Sequence, residues 1–175
     1  MRNPSVHSLF LGLCLLPVAA MAQPIQPGLW EIRAQNMQVD GQALPAMDMM
    51  LEQLKNLPAE QRQMMEQMMA KQGVQIHGQG VQVCMSEAQV AAQDIPLQDP
   101  QSGCSQTITE RSAQLWKFRF TCPQAQGEGE TRFVSDKAFV TTVSGTFATA
   151  AGQQSGRMES HAHWVAADCG ALQPR

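Results

Sequence analysis

The chain has 175 residues, with 12 basic and 15 acidic side chains and a formal net charge of −3. That mildly acidic balance argues against a nucleic-acid or anionic-membrane surface, and the length is that of one ordinary domain. Twelve methionines and five cysteines make sulfur the compositional feature to follow.

The first residues read as a targeting segment. Arg2 supplies the positive start, residues 9–16 form a short apolar core, Pro17 interrupts it, and Ala20-Met21-Ala22 is a small-x-small cleavage site. The apolar core is too short to span a bilayer. Leu13 before Cys14 does not suit a lipoprotein anchor, and no later segment has the length of a membrane span. A signal peptide over 1–22, cleaved after Ala22, is therefore expected. It leaves residues 23–175 as a single disulfide-stabilised domain exported to the periplasm.

From residue 27 the chain turns into a strand, with Trp30, Ile32 and Ala34 on one face and Glu31 and Arg33 on the other. Asp40-Gly41 marks a turn. Residues 46–72 change to helical spacing: Met47, Met50, Leu51, Leu54 and Leu57 recur on one side, and Pro58 and Glu60 suit a new helix start. Met64, Met65, Met68 and Met69 then share a broad face, and Gly73 caps the end. Residues 78–85 return to strand, and Ser86 and Glu87 open a short helical turn. A proline-containing loop over 94–103 follows.

Residues 104–122 read as a hairpin. Trp116, Phe118, Phe120 and Cys122 alternate with Leu115, Lys117, Arg119 and Thr121. Folding about Ala113 sets Cys104 against Cys122, Gln106 against Phe120 and Ile108 against Phe118, close enough for a disulfide that would lock register. Four cysteines remain once the leader is removed, so Cys84 is left to pair with Cys169. Paired C-x-x-C spacing for zinc is absent. Residues 123–127 read as a turn, 130–135 and 138–147 as a strand pair, and 154–165 as the last strand. On that strand His161 and His163 share the polar side with Arg157 and Glu159.

The expected fold is α+β: an antiparallel β-meander forming a curved or partly closed sheet, with the methionine-rich helical segment inserted after the first strand. That segment is expected to cover the apolar face or the open end. Trp30, Trp116, Phe118, Phe120 and Trp164 are expected to share one core.

Five features then stand together: Pro27-Gly28-Leu29-Trp30-Glu31, Leu57-Pro58-Ala59-Glu60-Gln61-Arg62, Val83-Cys84-Met85-Ser86, the central Cys104 and Cys122, and Asp168-Cys169-Gly170. With them the chain resembles the proteobacterial exported domain-of-unknown-function family 3617 over essentially the whole mature length. The resemblance implies export and disulfides and brings no activity, ligand or catalytic residue.

Candidate chemistry is sparse. Met64, Met65, Met68 and Met69 are a candidate contact surface, and thioethers of that kind can also hold Cu(I). His161 and His163 point to the same side and could share a metal, although a third ligand is not evident and a solvated face explains them as well. Ser144 and Ser155 lack a nucleophile-elbow context, and Glu128 and Glu130 fall in what reads as a glycine-rich turn. The expectation is a non-catalytic binding or interaction module without a cofactor, engaging a protein or an apolar small ligand. Periplasmic copper handling through methionine and histidine is the alternative.

Overall fold

A computed structural model describes residues 25–43, 52, 54, 56–71, 73–78, 80–91, 103–150 and 152–172. The expected signal segment and cleavage point lie outside these residues, as does most of the expected loop over 94–103. The described strands are β1 (Gly28–Val39), β2 (Gln42–Ala43), β3 (Val74–His77), β4 (Gly80–Met85), β5 (Ser105–Arg111), β6 (Leu115–Cys122), β7 (Ala125–Ser135), β8 (Ala138–Thr149) and β9 (Gly152–Ala166). Helix α1 spans Ala59–Lys71 and α2 spans Glu87–Ala91. All pairings are antiparallel, in the order β3-β4-β1-β9-β8-β7-β6-β5, with β2 folded back on β1. The end strands β3 and β5 do not pair with each other, so the sheet is open.

Short turns explain the meander from β5 to β9. Ser112 organises the first: its Oγ accepts the N–H groups of Gln114 and Leu115, which closes the chain into β6. Asp40 and Gly41 both have positive φ (48° and 77°), the conformation of a tight hairpin turn between β1 and β2. Pro123-Gln124 and Asp136-Lys137 make the next two reversals. Strands β4 and β5 are the exception: α2 follows β4, and β5 lies at the far edge of the sheet. Strand β1 lies between β4 and β9, so the start of the chain closes against its end. Register shifts between Leu29 and Trp30, Gln35 and Gln38, Ile108 and Glu110, and Phe133 and Ser135 mark bulges that bend the strands and add twist.

The core lies on one face, toward one end. Trp30, Trp116, Phe133, Phe139 and Ala162 from the sheet join Ile25, Met85 and Val90. Trp30 and Phe139 have ring centroids 5.1 Å apart, and Trp116 meets Phe133 edge-on at 4.9 Å. All three indole N–H groups are satisfied by backbone carbonyls: Trp30 by Gln26, Trp164 by Pro27 and Trp116 by Ser112. Thr131 and Thr141, buried opposite one another on the same face, hydrogen-bond at 2.9 Å. Helix α2 exists to deliver Val90. Its Ser86 and Gln89 form a reciprocal cap, the Gln89 N–H donating to Ser86 Oγ and the Ser86 N–H to Gln89 Oε1.

Two expectations about this core need correction. Trp164 is partly buried against the cluster, but Phe118 is buried outside it and Phe120 is only half-buried. The reason lies in the neighbouring strand. Gly129 and Gly127 stand opposite Phe118 and Phe120, and a β-carbon on either glycine would collide with the facing ring. The rings lie over the glycines, and neither joins the tryptophan cluster. These glycines are therefore strand residues, and Glu128 and Glu130 lie in β7 rather than in a turn.

The helical insertion also differs. It follows the two-residue strand β2, not β1, and it is succeeded by a further strand, β3. Of its first half only Glu52 and Leu54 are described as helical. Helix α1 lies against edge strand β3 and buries no residue, so it does not cover the apolar face. Its four methionines give it a stripe, but glutamines and charges interleave too densely for a continuous apolar side.

Two cystines brace the sheet, one at the β5 edge and one across β4, β1 and β9. Cys104 and Cys122 join β5 to β6 at a Cα separation of 4.1 Å. Cys84 on β4 joins Cys169, just beyond β9, and so bridges the start of β1, where Leu29 pairs with both Cys84 and Ala166.

Phe118 is 4% exposed. Phe118→Ala should cost about 3–5 kcal/mol in denaturant unfolding. Gly129→Ala should cost about 1–3 kcal/mol in the wild-type background and less in Phe118→Ala, because the ring it would strike is gone. Equal penalties in both backgrounds would refute the ring-over-glycine packing.

Candidate functional site

Pro58 precedes helix α1 and its carbonyl accepts the Arg62 N–H, while Gly73 follows the helix with a left-handed φ of 68°. Glu60 in the first turn and Lys71 in the last complement the helix dipole, and Arg62 and Glu66 pair one turn apart. Local chemistry thus supports this helix where tertiary burial does not. Met64 is 66% exposed and Met68 59%, one turn apart, while Met65 and Met69 are half-buried. The four expected contact residues lie on one helix, and the structure divides them into an outward and a half-covered pair.

On the polar face of the sheet, β1 places Glu31 opposite His163 of β9 and Gln82 of β4. Glu31 is only 5% exposed. Arg33 Nε donates to its Oε1 at 2.6 Å, and Oε2 has His77 Nδ1 at 3.5 Å and His163 Nε2 at 3.9 Å. Burial pushes the Glu31 carboxyl up, but the hydrogen bond and charge of Arg33, with His163 and His77, outweigh it and hold the group below its ordinary value. His161 pairs instead with Glu159 at 2.9 Å, and this bond is the main reason the Glu159 carboxyl is lowered.

His161 and His163 therefore share a face, as the alternation predicts, but each turns to a different carboxylate. Among the described residues, no group of three or more His, Cys, Asp or Glu side chains is arranged to hold a metal ion. The feature missed in the sequence is Glu31 as a buried hub between strands from both halves of the chain. Its face was legible from Trp30. Its neighbours were not, because they depend on β1 lying between β4 and β9. His77 ends β3 beside it.

Farther along the polar face, Lys117, Arg119, Glu128, Glu130, Thr142, Ser144 and Arg157 line an open depression of about 480 Å³. Opposite charges face each other across it, Lys117 with Glu130 and Arg119 with Glu128, as expected for a cross-strand ladder. Lys117 also pairs with Glu110 at 2.7 Å. Cations and carboxylates alternate here, so the depression carries no single sign of charge.

The Glu31 cluster generates a pH prediction. A carboxyl lowered in the folded state adds stability that is present above its unfolded value, near 4.5, and is lost as pH falls through the folded value. Glu31→Gln should therefore be less stable than wild type at pH 7, and urea unfolding should show the gap narrowing on acidification below about 4.5. A gap that stays constant or widens would refute the assignment.

Residues 25–169 match the family described as "Protein of unknown function (DUF3617)". A Pseudomonas putida protein, described as "Uncharacterized protein in lpd-3 5'region", is 57% identical over 129 residues, covering 74% of this chain and 91% of its own length. No solved structure matches the chain significantly. Across the open sheet, its two cystines and the strand carrying Trp30 and Glu31, this chain belongs to the DUF3617 family.

Proposed function

We propose that the protein is an exported, non-catalytic interaction module that engages an apolar segment of a partner protein through the methionine face of α1. The observation that carries this reading is the exposure of Met64 and Met68 on a helix that buries no residue. Isolated helices of this length are marginal in water, and most gain their stability from tertiary burial. An apolar stripe left outside the core is therefore available to a partner. Flexible, polarizable thioethers suit a surface that adapts to what it meets. Two cystines fit an oxidising compartment.

The charges on α1 narrow the partner. Glu60 and Glu66 balance Arg62 and Lys71, so the helix offers no net attraction to anionic lipid or nucleic acid. An uncharged amphipathic helix is the matching chemistry. Copper handling by the same thioethers remains the alternative. Its support is weaker, because His161 and His163 are each engaged with separate carboxylates.

The test uses a neutral, leucine-rich amphipathic peptide and the mature protein. Met64→Glu with Met68→Glu should weaken peptide binding at least about tenfold, or about 1.4 kcal/mol. Unfolding stability should stay within about 0.5 kcal/mol, since both sites are on the surface. Unaltered affinity, or no binding by wild type, overturns the proposal. Replacing Met64, Met65, Met68 and Met69 together by Leu conserves volume but removes the thioethers. Retained peptide binding with selective loss of Cu(I) binding would favour the copper reading.

A further inference from the structure

Sulfur in this protein falls into two chemical classes. Among the described residues every cysteine is in a cystine, Cys84 with Cys169 and Cys104 with Cys122. The sulfurs left to oxidise are thioethers, and they differ sharply in access. Met85 on β4 is 3% exposed within the core, and Met37 and Met158 are half-buried on β1 and β9. Met64 and Met68 stand out on α1 as the exposed pair. Because α1 buries no residue, adding oxygen to that pair makes no demand on the core.

We infer that Met64 and Met68 form a site of reversible oxidation that switches the outer face of α1 between an apolar and a polar state. The oxidant is a peroxide. The thioether sulfur uses a lone pair to attack one peroxide oxygen; an S–O bond forms as the O–O bond breaks. Sulfur loses two electrons, and the second oxygen leaves as hydroxide and is protonated to water. Reduction needs two thiols, which become a disulfide while the sulfoxide oxygen departs as water. A sulfoxide is polar and chiral, so two of them one helical turn apart remove the apolar stripe. Their exposure also leaves them open to a sulfoxide reductase without unfolding of the sheet. The consequence for a partner rests on the binding reading above; the modification and the change of surface do not.

The experiment treats the mature, disulfide-intact protein with limiting hydrogen peroxide. Peptide mapping follows each methionine, and hydrophobic-interaction chromatography follows the folded surface. Met64 and Met68 should be oxidised about tenfold faster than Met85 and ahead of Met37 and Met158. Column retention should shorten with far-UV circular dichroism unchanged, and a thiol-dependent methionine sulfoxide reductase should restore it. Met64→Leu with Met68→Leu should abolish the retention shift. Earlier oxidation of Met37 or Met158, unaltered retention, or a shift that the reductase does not reverse would overturn the inference. If retention switches while wild type shows no affinity for the neutral peptide, the binding proposal fails and this one stands.

Discussion

The fold depends on burying Trp30. Its side chain is fully enclosed, its ring meets Phe139, and its indole N–H is bonded to the Gln26 carbonyl. Side chains alternate along a strand, so fixing Trp30 on the apolar face places Glu31 on the other. A one-residue slip of β1 would expose the indole and drive a carboxylate into the core. The core and the Glu31 cluster are two results of one parity. Trp164, directly opposite on β9, extends the constraint by bonding to the Pro27 carbonyl, so residues entering β1 are held by indoles from two strands.

The cystines reinforce this arrangement in different places. Cys84 and Cys169 span the start of β1, where first and last strands meet, and close a separation of 85 residues. By the chain-entropy account, such a link restricts the unfolded ensemble more than the 18-residue link between Cys104 and Cys122. Together they act around β1 and on the β5 edge of the sheet. The opposite edge, formed by β3, has neither a cystine nor the aromatic core, and α1 lies against it. Stability is thus distributed unevenly, and a helix that buries no residue carries the exposed methionines.

On the apolar face, the molecule changes character along its strands. Near one end large rings meet one another at tilted and edge-on angles, with Thr131 and Thr141 buried on the same face. Near the other, Phe118 and Phe120 spread over Gly129 and Gly127. Glycine in a strand interior usually weakens it, and here the ring from the next strand covers the exposed backbone. The polar face carries ordinary cross-strand charge pairing except at Glu31, where a nearly inaccessible carboxylate is held by a cation and two imidazoles.

The sequence by itself determined the local elements. Alternation around Trp30 and Trp116 set which faces were apolar, and the Gln106–Phe120 and Ile108–Phe118 register follows from hairpin length alone. The methionine spacing of α1 and the capping Gly73 were legible for the same reason, because helices and tight hairpins are written in contacts a few residues apart. Tertiary structure decided what depends on strand order. The insertion of β1 between β4 and β9 brought Glu31, His77 and His163 together, and no local pattern encodes that. The same holds for Gly127 and Gly129, which look like turn residues until the rings of β6 are seen above them. It holds for α1 as well: helical periodicity shows that a stripe exists, but only the tertiary placement of the helix against β3 decided that Met64 and Met68 would face outward. Periodicity fixes the relative orientation of side chains on one element, whereas burial depends on what the rest of the chain places beside it.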